Sequence, residues 1–449
     1  VILAIGGALQ VALGLFSWGA LGLLLVGLGA AGVYVLGASG GGRQFERLLA
    51  GAVVVQAGLG LVAAPFNDVV AVGVMGWLPH RAFYLGAGVL GVAGVAGVRW
   101  RWSWVVGAGL FLVMAGNILR CSPSPRVDVF VYQRDGAAAL VRGNDPYELT
   151  FRNPYTPSES WVFAPGTAEG GRILFGFPYF PIELLTVLPA AMLGDYRWAH
   201  VAALLATAGG LAVLGRGAGD RRAGGWVALL FLTTPRLPFA VEWGWTEPVL
   251  CALFVWTLVA VQRRGWARVL LGATLMLSKQ YVVLLVPLGR WLGVTRRNVW
   301  WGLVPVGITA AFAAWDPRAF WESTVALQFR QPFRPDALSL PAAWFHLTGQ
   351  RLPGLLGPIA GCGVSAAMAV WGGGRRGAGD VGAGEAGAKG ELGAHRFAVG
   401  SAVSLLIFFA LSKQAFANYY VLVIAAWCAV LVLECQSTTS SSSAPASAG

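Results

Sequence analysis

Residues 102–119 read WSWVVGAGLFLVMAGNIL, 120–127 RCSPSPRV and 128–132 DVFVY. The first run carries no charge and approaches the ~20 apolar residues that a spanning helix needs. Asp128 follows it at the head of a polar loop, 120–179, and so stands at a membrane–water boundary. Outward in both directions the chain repeats long apolar runs separated by short turns. Spans are expected near 1–16, 19–37, 48–65, 82–98 and 102–119 before the loop. After it they are expected near 180–193, 197–214, 226–240, 246–262, 269–289, 299–315, 352–371, 397–411 and 416–434. Membrane barrel strands would alternate apolar and polar residues, whereas these runs are apolar all round. The fold class is therefore all-α: a polytopic, multi-pass membrane protein of about 12–14 helices, with an external loop bearing an interfacial helix.

Composition agrees. Of 449 residues, 57% are hydrophobic and 12% charged, and the mean hydropathy is +0.66; soluble domains carry about a quarter charged residues. The net charge of +12 is arginine gathered in short inter-helix loops, with no nucleic-acid-binding motif to receive a nucleic acid. The five cysteines give no disulfide framework. The histidines, His80, His200, His346 and His395, lie far apart and lack zinc-site spacing, so no metal site is expected. From Gln436 the sequence turns Ser- and Thr-rich, and 435–449 reads as a disordered tail.

Orientation follows from the basic loops. Arg43/Arg47, Arg99/Arg101, Arg216/Arg221/Arg222, Arg263/Arg264/Arg268, Arg290/Arg296/Arg297 and Arg375/Arg376 are assigned to the cytoplasm, and loop 120–179 to the outside. Parity closes only if 180–193, short and holding Pro181 and Pro189, does not cross. Likewise 269–289, with Ser278-Lys279-Gln280 at its middle and arginines at both ends, reads as a hairpin of two half-helices with Lys279 at the outer tip. The external side then gathers Asp128, Arg134, Asp135, Asp145, Glu148, Glu183, Glu242, Glu247, Lys279, Gln280, Arg330, Arg334, Asp336, Lys413, Gln414, Asn418 and Tyr419. Ionisable groups at membrane depth are costly and point to function.

Within the loop, 129–142 reads as an interfacial helix. Asp128 suits its N-cap, Phe130, Ala137, Leu140 and Val141 its apolar face, and Gly143 the residue just past its end. Asp128 can be a cap and nothing more, or a general base that accepts the proton of an attacking hydroxyl. A phosphate leaving group also needs positive charge where its negative charge develops. Lys279, Lys413, Arg330 and Arg334 are the candidate phosphate-binding cations. Asp145, Tyr147, Glu242, Glu247, Gln280, Gln414, Asn418 and Tyr419 are candidate substrate-binding residues. Trp243, Trp245, Phe177, Tyr179 and Phe180 offer rings for stacking on a sugar.

The segments Asp128-x-Phe130-Val131-Tyr132, Ala138-Ala139-Leu140 and Gly143-x-Asp145-Pro146-Tyr147 resemble the first external loop of GT-C membrane glycosyltransferases. The match is to the polyprenol-phosphate-mannose-dependent mannosyltransferases of actinobacterial type. Phe177-Pro178-Tyr179-Phe180-Pro181 is similar to that family's aromatic–proline stretch, with Tyr179-Phe180-Pro181 where Tyr-Pro-Pro is usual. Glu242-Trp243-Gly244-Trp245-Thr246-Glu247-Pro248 and Ser278-Lys279-Gln280-Tyr281 sit where such proteins carry polar breaks. The resemblance covers roughly 102–434, leaving 1–101 as an added N-terminal transmembrane block. It implies an integral enzyme of the bacterial inner membrane that uses no cofactor. The enzyme would move a sugar, mannose by the resemblance, with inversion from a polyprenyl-phosphate donor to a glycan or glycolipid hydroxyl. The alternative is a polytopic transporter, since buried charges and broken helices also serve carriers; no internal repeat supports it.

Overall fold

A computed structural model describes residues 1–36, 43–62, 73–98, 102–216, 221–370 and 385–441. Among the described residues five helices precede the long polar loop: α1 (Ile2–Ala12), α2 (Trp18–Leu36), α3 (Arg43–Val62), α4 (Val74–Val95) and α5 (Ser103–Cys121). The loop carries α6 (Asp128–Val141) and three short strands, and α7 (Pro181–Met192) closes it. The membrane part continues through α8 (Arg197–Arg216), α9 (Arg221–Leu232), α10 (Leu237–Glu242), α11 (Glu247–Gln262) and α12 (Ala267–Met276). A 3-10 helix (Gln280–Leu292) and α13 (Trp300–Trp315) follow. Then come α14 (Pro317–Trp321), a π turn (Glu322–Ala326), α15 (Leu327–Arg330), α16 (Leu340–Thr348), α17 (Leu356–Val370), α18 (Glu385–Ala410) and α19 (Ala417–Ser441). Among the described residues six helices are long and apolar enough to cross a membrane, namely α2, α3, α5, α8, α18 and α19. They mark a multi-pass helical membrane protein.

The other helices show how a chain breaks its own apolar runs. The run 1–16 yields only α1, which ends where Leu13 and Gly14 turn left-handed; at ~1.5 Å per residue it is too short to cross. The run 226–240 is not one span. Pro235 lacks the amide to continue α9, and Arg236 adopts φ 65° before α10 begins. Helix α7, with 12 residues, is too short to cross, as parity required.

The hairpin 269–289 is present. Helix α12 and the 3-10 helix flank an extended Lys279 (φ −144°, ψ 144°). Their far ends meet, since Arg268 Nη2 donates to the Gly293 carbonyl at 2.8 Å. That end carries Arg263, Arg264, Arg268, Arg290, Arg296 and Arg297, so the molecule has one arginine-rich end and one end that holds the loop. Arg99/Arg101 and Arg375/Arg376 lie outside the described residues.

The loop 120–179 departs from a purely helical reading. Strands β1 (Phe151–Arg152), β2 (Ala168–Glu169) and β3 (Arg172–Ile173) form an antiparallel sheet in the order β1-β3-β2. The β2–β3 turn is Gly170-Gly171, both at positive φ, the conformation that a two-residue hairpin demands. Helix α6 begins at Asp128, with Val127 at the cap position, so Asp128 is the first helical residue and not the N-cap. Its carboxylate takes the adjacent Val129 amide instead. At the other end Gly143 (φ 75°) donates to Leu140 and Asn144 to Ala139, a complete Schellman motif. Phe130, Val131, Tyr132 and Ala137 are buried in a second apolar cluster with Tyr147, Phe151, Phe163, Ile173, Phe177 and Leu184. The apolar side of α6 is thus covered by protein, not laid into lipid; only Val141 is well exposed.

The N-terminal helices share one buried core with the rest of the bundle. Residues 14–16 reach the loop-bearing end, where Phe16 N donates to Asp336 O at 2.8 Å. The final helix runs to Ser441, into the expected tail, because an established helix extends more easily than it nucleates; 442–449 lie outside the described residues. In a cysteine-free background, Ser158→Cys in the module should react with a membrane-impermeant maleimide in intact cells. Arg297→Cys should react only after lysis. Labelling of Arg297→Cys in intact cells would reverse the assigned orientation.

Candidate active site at the loop-bearing end of the bundle

Asp128 is half-buried where α6 meets the loop after β1. Its Oδ1 accepts from Val129 N at 2.9 Å and from Tyr155 Oη at 3.1 Å, and its Oδ2 accepts from Tyr132 Oη at 3.4 Å. Burial pushes the carboxyl above its usual range. The three hydrogen bonds and the positive charge of Arg334 oppose that rise. Burial likewise holds Tyr132 and Tyr155 well above the ordinary phenol range, so both remain O–H donors to the carboxylate.

Arg334 is the candidate cation that the fold brings to Asp128. Its Nε and Nη2 donate to Asp336 at 2.8 and 2.7 Å, a bidentate pair of the geometrically specific kind. The guanidinium lies over Trp161 at 4.7 Å and Phe416 at 4.8 Å. Its Nη1 makes no hydrogen bond among the described residues. The backbone is fixed too, since Arg334 N donates to Lys413 O at 3.1 Å.

Beneath this lies a second group. Lys279 Nζ donates to Glu247 Oε1 at 2.5 Å and Thr246 Oγ1 at 2.7 Å, with side chains only 6% and 1% exposed for Lys279 and Glu247. The rings of Tyr179, Tyr419 and Tyr281 surround the ammonium at 5.0, 5.3 and 5.4 Å. Asn418 Nδ2 and Tyr281 Oη also donate to Glu247 Oε1, at 3.1 and 3.4 Å. Three elements distant in sequence converge here: the start of α11, the hairpin tip and the start of α19. The charge of Asp128 acts on Tyr179 and Tyr419, so the two groups adjoin.

The remaining candidates hold structure. Lys413 Nζ donates to the carbonyls of Gln328, Phe329 and Gln331 at 3.1, 3.3 and 2.7 Å, closing the end of α15 as a cation should. Arg330 pairs with Glu322 at the exposed surface. Neither is directed at Asp128. Asp145 Oδ1 accepts from Tyr147 N at 2.8 Å, and its electrostatic neighbour is Asp316. Tyr147 is buried among Phe177, Phe312 and Phe320 and donates to Tyr179 O at 3.0 Å, so it positions Tyr179 from behind. Gln280 Nε2 ties Pro178 O to Thr324 O at 2.8 and 2.9 Å. Gln414 Nε2 donates to Pro332 O at 2.8 Å. Glu242 is buried and offers its backbone carbonyl to Arg197 at 2.7 Å. Among the described residues no three His, Cys, Asp or Glu side chains are grouped as a metal site.

Three residues of weight, Tyr155, Trp161 and Arg197, lie outside the sequence-based candidates, and a fourth, Glu183, stood among the gathered polar residues without a role of its own. Tyr155 clamps Asp128, and Trp161 supports Arg334. Fully buried Arg197 joins Asp195, Ser122 O, Glu242 O and the face of Phe130. Glu183 is fully buried with neither carboxylate oxygen hydrogen-bonded among the described residues, within electrostatic reach of Lys279 and Glu247. Arg197 carried a signal, a charge at the mouth of an apolar run; Tyr155 and Trp161 carried none, because long-range contacts define them. No protein-family model, curated protein or solved structure matches this chain.

Two outcomes follow. Tyr155→Phe removes a hydrogen bond that favours charged Asp128, so any activity needing that carboxylate should lose its acid limb at a higher pH than wild type. An unmoved limb in the pH–rate profile would dissociate Asp128 from it. Glu247→Ala strands a buried ammonium and should cost about 3–5 kcal/mol, read as a lower Tm in detergent. The double change Lys279→Met with Glu247→Leu should recover most of that loss.

Proposed function

We propose that the chain is an integral membrane glycosyltransferase of GT-C type, acting at the external face on a polyprenyl-phosphate sugar, with mannose as the sugar the sequence resemblance favours. The observation that carries the reading is Asp128, a half-buried carboxylate held by Tyr155 and Tyr132 beside Arg334 at the external end of an apolar bundle. In this scheme the acceptor oxygen bonds to the anomeric carbon as the bond from that carbon to the phosphate oxygen breaks. The electron pair leaves with the lipid phosphate, and the acceptor proton passes to Asp128. Arg334, with Nη1 uncommitted, meets the charge that develops on the phosphate; Lys279, already paired with Glu247, contributes from beneath. The lipid tail stays among the helices, and the acceptor is a glycan or glycolipid hydroxyl. The proposed setting is a bacterial inner membrane.

A carrier is the second reading, favoured by the buried Lys279–Glu247 pair at a broken helix. The two separate by experiment. Asp128→Asn should lower sugar transfer from labelled polyprenyl-phosphate mannose in membranes by about 10²–10⁴-fold, the usual contribution of a general base, with insertion unchanged. Undiminished transfer would remove Asp128 from the chemistry, and uptake of free solute into vesicles without lipid-linked donor would favour the carrier.

A further inference from the structure

The seam between α3 and α4 opens into a cleft on the side of the bundle. Its volume is about 330 Å³, and every residue that lines it is apolar. Val54, Gly58 and Leu61 form one wall, and Leu85, Gly88 and Val92 the other. Two glycines make the space. A Cβ at Gly58 would meet nothing within 4 Å, and one at Gly88 would touch only Ala57, at 3.6 Å. Leu85 and Val92 are well exposed, so the cleft faces the hydrocarbon around α3, a helix long and apolar enough to cross a membrane.

The cleft has a charged head. Arg47, Val54, Gly58 and Leu61 follow one another at seven, four and three residues and so share one face of α3. The Arg47 guanidinium leans across the seam to the end of α4, where a Cβ at Gly97 would lie 3.5 Å from its Nη2. Arg47 is exposed and has no acceptor or carboxylate partner among the described residues. Glu46 does not serve it. One residue earlier, it lies about 100° around the helix, in line with buried Ala50 and Val53. From Arg47 to Val54 is ~10 Å along the axis, and the cleft runs ~10 Å further to Leu61. The interfacial layer of a bilayer is roughly 5–8 Å deep. With Arg47 at the level of the lipid phosphates, the cleft therefore begins just inside the hydrocarbon.

We infer that this seam binds one anionic glycerophospholipid, with its phosphate on Arg47 and an acyl chain in the cleft. Apolar cavities stay dry and take apolar guests, and a guanidinium is suited to phosphate oxygens. Basic residues at the ends of spans attract anionic lipids. A partner helix is a poorer occupant, because at ~10–12 Å across it is as wide as the cleft is long. None of the residues proposed to act in sugar transfer lines the seam, so the inference stands apart from that reading.

The test uses the full chain in nanodiscs of equal parts phosphatidylglycerol and phosphatidylcholine, released into native mass spectrometry. For the most tightly held lipid, wild type should favour phosphatidylglycerol about fivefold, the usual effect of one arginine on an anionic lipid. Arg47→Gln should lose that preference. Gly58→Leu, whose side chain enters open space, should retain one lipid fewer than wild type, while Gly58→Ala should retain as many. Equal retention of the two lipids by wild type, an undiminished preference in Arg47→Gln or an unchanged lipid count in Gly58→Leu overturns the site. Loss of the lipid in Gly58→Ala as well would place the effect in the helix and not in the cleft, and overturns it too. Dissociation of a wild-type dimer by Gly58→Leu would give the seam to a second copy of the chain and contradict the lipid.

Discussion

The ammonium of Lys279 stands between two half-helices inside an apolar bundle, where an unpaired charge would be prohibitive. Meeting that demand organises the loop-bearing end of the molecule. Glu247 supplies the countercharge from the first turn of α11, Thr246 a hydroxyl, Asn418 a donor to the same carboxylate, and three tyrosines the ring faces. Once these are in place, the start of α11, the hairpin tip and the start of α19 are fixed to one another. The stretch 334–338, which carries Arg334, is zipped onto 413–415 by backbone hydrogen bonds. The position of Arg334 beside Asp128 is therefore set from below.

A second anchor sets Asp128 from the side. Arg197 gathers the end of α5, the turn before α8 and the end of α10, and lies against Phe130 on α6. Removing either anchor frees one of the two charges that the proposed chemistry needs at a fixed separation. The anchors are buried while Asp128 and Arg334 keep some exposure, 17% for the Arg334 side chain, so packing holds the geometry of a pair still open to solvent.

How much of this was legible depends on range. Apolar runs, arginine-rich turns and the parity they impose were enough for the helical class, for the short α7 and for the hairpin with Lys279 at its tip. These features are local or follow from sidedness. The break at Pro235 and the end of α1 were missed because a run can stay apolar while its backbone turns. The small sheet was missed although Gly170-Gly171 marks its hairpin, since strands this short leave little alternation to read. At the site, residue type alone grouped Lys279, Lys413, Arg330 and Arg334. Only tertiary contacts separate Arg334, within electrostatic reach of Asp128, from Lys413, spent on the carbonyls that end α15. The clamp of Tyr155 on Asp128 and the backing of Trp161 by Arg334 are pairings between segments that no periodicity encodes.

In the proposed scheme Asp128 and Arg334 face one lipid-linked sugar at the loop-bearing end of the bundle. A structure of the chain with a polyprenyl-phosphonate analogue of the donor tests it most directly. The phosphonate should lie within hydrogen-bonding distance of Arg334, the sugar over Asp128 and the lipid tail among the helices. Density for the phosphonate at the arginine-rich end, or at any external position out of reach of both residues, would contradict it.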